Sequence, residues 1–288
     1  MSRTIRHTID LPGTAMEVYR AISDERQLVK WLTEHARVSL DEGRYELWGR
    51  YLPGAPQAPV TRLVEAKENS ALRFIWSYAG RDLAVSMELK DAPYGSRLTL
   101  TQEAVTRPET EASLSDFWGL AFENLRRLAG GGSGPVFCDF SSPKLDQAVI
   151  TAEIGGTAER VFDALINPAQ LDRYIASKAT VEPRAGGRFD YGWNGGPIKI
   201  LEVVPNRQLS IAWQYGDDPE TVVTWTLEGS RGGTRLTLVH SGFGARRKTD
   251  DYTTGWYHFV NCLKSMIETG PSWRVQKPES VDYETAAR

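Results

Sequence analysis

The chain writes one phrase twice: Gly95–Val105 reads GSRLTLTQEAV and Gly233–Phe243 reads GTRLTLVHSGF. Internal repetition of this kind decides the architecture before any local pattern is read. The match is not confined to the phrase. LPGTAMEVYRAISDERQLVKWL, from Leu11, aligns with IGGTAERVFDALINPAQLDRYI, from Ile154, at an offset of 143. Val18, Ala21, Leu28 and Trp31 then fall on Val161, Ala164, Leu171 and Tyr174. GRYE at Gly43 matches GRFD at Gly187, and ALRFIWSY ending at Tyr78 matches QLSIAWQY ending at Tyr215. The duplicated phrase follows at an offset of 138, which also places Trp118 on Trp256 and Leu125 on Leu263. The shortening coincides with YLPGAPQAPV, an insertion found in the first copy alone and predicted to be a loop.

Each unit is long enough to close a core of its own, so two copies in 288 residues mean two domains and not a solenoid. The boundaries predicted are 1–129 for the first domain, 130–146 for a linker, 147–270 for the second and 271–288 for a tail. Glycine and serine in GGGSGPVFCDFSSPKLDQ suggest a flexible linker, although Val136, Phe137 and Phe140 could tuck it against a domain. The tail has no periodic apolar pattern, with Trp273 its one potential anchor.

Within each copy the periodicity changes from strand to helix and back. Ile5, His7 and Ile9 alternate on one strand face, as do Ile150, Ala152 and Ile154. Thr14 and Thr157 stand at N-cap positions before apolar residues at helical spacing, and Asn167-Pro168 restarts a second short helix. Strand-like stretches follow, in the second copy Ile198–Val204, Gln208–Tyr215, Val222–Leu227 and Thr234–His240. Each copy then ends in a long amphipathic helix, marked by Leu114, Phe117, Trp118, Ala121, Leu125 and Leu128, and by Tyr252, Trp256, Phe259, Val260, Leu263 and Ile267.

This order, with GGRFDYGW, GGTRLTLVHSGF and GWYHFVNCLKSMIE in the second copy, resembles the SRPBCC superfamily, the START and birch-pollen-allergen helix-grip fold. Its heat-shock-protein ATPase-activator-like branch is the most similar. The resemblance implies an α+β protein of two tandem helix-grip domains, each a curved antiparallel sheet around a long C-terminal helix, with an apolar cavity between them. The first copy is more divergent: Gln102-Glu103-Ala104 replaces His240-Ser241-Gly242, and Phe117-Trp118-Gly119 replaces Gly255-Trp256. Such motifs define a fold sharply and a reaction hardly at all, because the superfamily includes carriers, receptors, cyclases, resistance proteins and co-chaperones.

Strand parity turns Leu236, Leu238 and His240 to the inner face and puts Gln102 beside Leu98 and Leu100 in the first copy. Glutamine exchanges no proton near neutral pH, so a function common to both positions is hydrogen bonding. His240 is thus the sole catalytic candidate, and a histidine satisfied by neighbouring helix or strand is the competing and stronger reading. Candidate ligand-contacting residues are Trp193, Trp213, Tyr215, Trp225, His240, Tyr252 and Trp256 in the second domain. Those in the first are Trp48, Trp76, Met87, Gln102 and Trp118. Large flat rings with one polar edge suit an aromatic ligand; for any single tryptophan core packing is the favoured reading, and the set taken together points to a pocket. His258 falls off the inward stripe and is expected near the surface, and Cys262 reads as packing.

Three functions stay open. The first is binding of a small hydrophobic or aromatic molecule, for carriage, sequestration or resistance. A polyketide cyclase or aromatase is the alternative, and a co-chaperone acting on a heat-shock ATPase is a third, so whether the chain is an enzyme is undecided. A net charge of -3 offers no basic field for nucleic acid. The two cysteines and four histidines show no metal-ligand spacing, and no cofactor is expected. Without a long apolar run or an apolar N-terminal segment, no membrane insertion and a cytoplasmic location are expected.

Overall fold

The computed structural model describes residues 4–55, 57–103, 108–230, 232–244 and 247–276. The chain divides into two compact units, one running to Ser142 and one from Pro143 to Val275. In the first unit the order is β1 (Thr4–Leu11), α1 (Ala15–Ser23), α2 (Glu25–Leu28), β2 (His35–Ser39), β3 (Arg44–Trp48), β4 (Thr61–Lys67), β5 (Ala71–Tyr78), β6 (Arg81–Ala92), β7 (Gly95–Glu103) and α3 (Pro108–Ala129). The second unit repeats it with β8 (Ala148–Ile154), α4 (Ala158–Ile166), α5 (Pro168–Tyr174), β9 (Thr180–Val181), β10 (Phe189–Asp190), β11 (Gly196–Val204), β12 (Gln208–Gln214), β13 (Thr221–Ser230), β14 (Gly233–Ser241) and α6 (Asp250–Thr269). This is the α+β tandem helix-grip architecture that the repeat implies.

Each unit has a five-stranded antiparallel sheet, ordered β1-β7-β6-β5-β4 in the first and β8-β14-β13-β12-β11 in the second. The pairs β2-β3 and β9-β10 form separate two-stranded ribbons. The duplicated phrase is therefore β7 and β14, which lie beside the first strand of their own unit. Its leading glycine has a steric reason. A Cβ on Gly95, whose φ is +140°, would meet the Leu11 carbonyl oxygen at 2.2 Å, and one on Gly233 would meet that of Ile154 at 2.9 Å.

The sheets bury one face, as the alternation predicts: Ile5, His7, Ile9 and Leu11 on β1, and Leu98, Leu100 and Gln102 on β7. Against that face α3 lays Leu114, Phe117, Trp118, Ala121, Phe122 and Leu125 in a single core cluster. In the second unit α6 buries Trp256, Val260, Leu263 and Ile267, and packs on β8. At about 1.5–3 kcal/mol for each large apolar side chain buried, these helix–sheet seams are the main source of stability. Thr14 caps α1 with a complete capping box to Glu17, and Thr157 caps α4 through the Arg160 amide.

Some expectations need revision. Residues 130–142, read as part of a flexible linker, belong to the first unit, where Val136 and Cys138 are buried and Phe137 stacks on Tyr51. The cause is Asn124 on α3, whose side chain both donates to the Val136 carbonyl and accepts from the Val136 amide. His258 is buried and stacks on Phe259. Trp273, the anchor expected of the tail, is buried, and residues 277–288 of that tail lie outside the described residues.

Candidate functional site

In the second domain the inward row of β14 ends at His240, which pairs in register with Val223 on β13. Thr221, two residues before Val223, shares that inward face and pairs with Trp213 on β12. Trp256 comes down from α6. Its indole Nε1 donates to His240 Nδ1 at 3.0 Å, and an indole can only donate. The imidazole proton is thereby assigned to Nε2, which donates to Thr221 Oγ1 at 2.8 Å, and the hydroxyl passes its own proton to the Trp213 carbonyl at 3.2 Å. Both ring nitrogens are spent on protein. Burial pushes the pKa of His240 down to about 3, so the ring is neutral through the physiological range.

Aromatic rings surround this polar line. Trp213 meets Trp256 edge to face at 5.2 Å, and Trp225 meets Trp256 at 5.5 Å. Half-buried Trp193 lies against Trp213 and Phe259, and half-buried Tyr252 against His240 and Phe243. Tyr215 stands apart, 43% exposed at the end of β12. The rings fill the seam they were expected to line. Surface depressions of about 600, 710 and 440 Å³ open elsewhere, around Tyr19 and Glu68, around Arg207 and Leu227, and around Arg173 and Pro271.

The first domain builds the same frame. Trp76 meets Trp118 edge to face at 5.7 Å, and Trp118 Nε1 donates to Gln102 Oε1. Gln102 pairs with Val85 as His240 pairs with Val223. Met87 is fully buried in the core, paired with Leu72 and Leu100. Trp48 is separate from the others: its half-buried ring lies against His35 with the Arg37 guanidinium above it. Sequence reasoning missed Thr221, Tyr191, Phe243 and His7. Parity along β13 contains Thr221 once the strand is started one residue earlier. His7 was placed inward but given no partner, and it bonds Ser115 on α3.

Among the described residues no cluster of three His, Cys, Asp or Glu side chains could hold a metal ion, and no helix is long and apolar enough to cross a membrane. A five-stranded sheet closed on a long helix through an indole–amide or indole–imidazole bond, built twice, defines a tandem helix-grip protein of the SRPBCC type. The chain belongs to the family described as Activator of Hsp90 ATPase homolog 1-like protein, whose model matches residues 13–130 and 156–268. Among solved structures it is similar to the protein MLL2253 of Mesorhizobium loti, at 28% identity over 42% of this chain and 95% of that one, with a TM-score of 0.36. It is also similar to the Aha1 dimer of Colwellia psychrerythraea, at 21% identity over 44% and 98% of the chains, TM-score 0.40. DynU16, a putative protein in the dynemicin biosynthetic locus, aligns over 92% of this chain and 98% of its own, at 18% identity and TM-score 0.35. A search of curated proteins gave no match.

Proposed function

We propose that the chain is a binding protein that holds a small hydrophobic or aromatic molecule between sheet and long helix, in a carrier, sequestration or resistance role. One observation carries this reading. The same indole pair, Trp76 with Trp118 and Trp213 with Trp256, walls the seam at matched positions of both domains, and the Nε1 of Trp76 and of Trp213 makes no hydrogen bond there. Two buried donors without acceptors cost free energy in the empty protein, on the order of 1–3 kcal/mol each. A bound molecule with an acceptor and a flat apolar body recovers that cost. Half-exposed Trp193, Tyr252 and Phe259 continue the aromatic surface outward in the second domain, and their rings must shift to admit a ligand.

A cyclase or other proton-transferring enzyme is less well supported, because His240 has neither a free lone pair nor a proton acidic enough to move near neutral pH. The test is native mass spectrometry of the full chain, with anilinonaphthalene sulfonate titration followed by tryptophan fluorescence. A co-purifying mass lost on denaturation, or saturable quenching, is expected. Repeated preparations with neither overturn the reading.

A further inference from the structure

The two domains differ at the very positions where they correspond. In the second, the line from Trp256 through His240 and Thr221 ends on the Trp213 carbonyl. In the first, the corresponding residues are Trp118, Gln102, Leu83 and Trp76. The register supports the equivalence: Leu83 pairs with Trp76 as Thr221 pairs with Trp213. The hydroxyl that Thr221 supplies in the second domain has thus become a leucine in the first. The consequence is visible in the hydrogen bonding. Gln102 uses Oε1 on Trp118, but its Nε2 has no partner, in a side chain with 0% exposure. Trp76 Nε1, on the same inward face one row along, is likewise buried and unpartnered. Leu83, Val85 and Phe117, the side chains placed around them by register and ring contacts, are apolar.

Resting on the binding reading above, we infer that the polar recognition point for the ligand lies in the first domain, at the Gln102 amide N–H. The ligand is a neutral, largely apolar molecule bearing a carbonyl acceptor, such as a ketone, ester or amide. A carboxylate fits poorly, because the described side chains placed around these donors, Leu83, Val85 and Phe117, are apolar and a buried charge without a counter-charge is strongly disfavoured. The second domain, whose equivalent nitrogen is already bonded to Thr221, makes no such contact.

The experiment uses the full chain and two probes of one shape: prodan, a dimethylaminonaphthalene with a propionyl ketone, and its analogue in which the ketone is a methylene. Prodan is expected to bind at least about fivefold more tightly, the worth of one buried hydrogen bond. A threonine at position 83 reproduces the second domain's arrangement, so Leu83→Thr should abolish that preference, the two probes then binding that variant alike. Conversely, Thr221→Leu with His240→Gln should add a second ketone site. The Gln102 side-chain amide and Trp76 indole N–H signals should shift when prodan is added to the unaltered protein, and melting curves show that each variant folds. Equal affinity for the two probes, as expected if these donors merely hold water, overturns the inference, as does a preference that survives Leu83→Thr. Failure of the broader reading looks different, since then neither probe binds any variant.

Discussion

His240 is the residue at which function and packing are hardest to tell apart, and both of its ring nitrogens are bonded to protein. His240→Ala would strand the Trp256 indole N–H, leave the Thr221 hydroxyl only its bond to the Trp213 carbonyl and open a cavity, and is expected to cost about 3 kcal/mol, read from urea unfolding. His240→Gln supplies one acceptor and one donor in the manner of Gln102, and should cost less than about 1 kcal/mol at neutral pH. The pH dependence follows from the same burial. The folded-state pKa is about 3 against an ordinary value of 6.5, so as pH falls from 6.5 towards 3 the unfolded chain gains a proton that the native ring refuses. Stability is lost over that window, by on the order of 5 kcal/mol when both limits are reached. His240→Gln should flatten this part of the acid-unfolding profile, and an unchanged profile would show that the ring is accessible to protons in the native state. The inward direction of His240 and its equivalence to Gln102 were legible from parity and repeat alone. Its partners were not, because Thr221 and Trp256 reach it from a different strand and a different helix.

At the scale of elements, the caps, strand faces and helix stripes could all be read locally, since each depends on residues a few positions apart. Thr14 with Glu17 is an example: the capping box lies wholly within four consecutive residues. The hairpin leading into β7 shows the limit of such reading. Gly95 is needed because the Leu11 carbonyl, 84 residues away in sequence, occupies the space of a Cβ, and because its φ of +140° is one that side chains avoid. Gly95→Ala should therefore destabilise the first domain by about 2 kcal/mol or more, measured by its denaturation midpoint. Gly80, with nothing within 4 Å of an added Cβ, pays only for its φ of +75° and should tolerate alanine better. The misjudged surface position of His258 has a similar origin: a helical stripe records one buried face, whereas α6 is covered on more than one side, burying Asn261, Lys264 and Ser265 as well.

For the whole molecule, repetition in the sequence translates into two units, and among the described residues each five-stranded sheet is built from strands of one unit. A fragment ending at Ser142 should unfold cooperatively. One ending at Ala129 loses the Val136 backbone that satisfies the Asn124 side chain and the burial of Val136 and Cys138, and should be less stable by about 3 kcal/mol or more. Equal stability of the two fragments, by calorimetry or urea unfolding, would return residues 130–142 to the status of a linker. The amino-acid sequence by itself determined the tandem α+β architecture, the order of elements and the inward placement of His240 and Gln102, because repeat, alternation and capping are carried by neighbouring residues. Only the tertiary structure decided that the histidine is fully bonded while the glutamine has an N–H to spare. That outcome depends on whether threonine or leucine faces the position from the next strand, and hydrogen-bond satisfaction is a property of what the fold brings together.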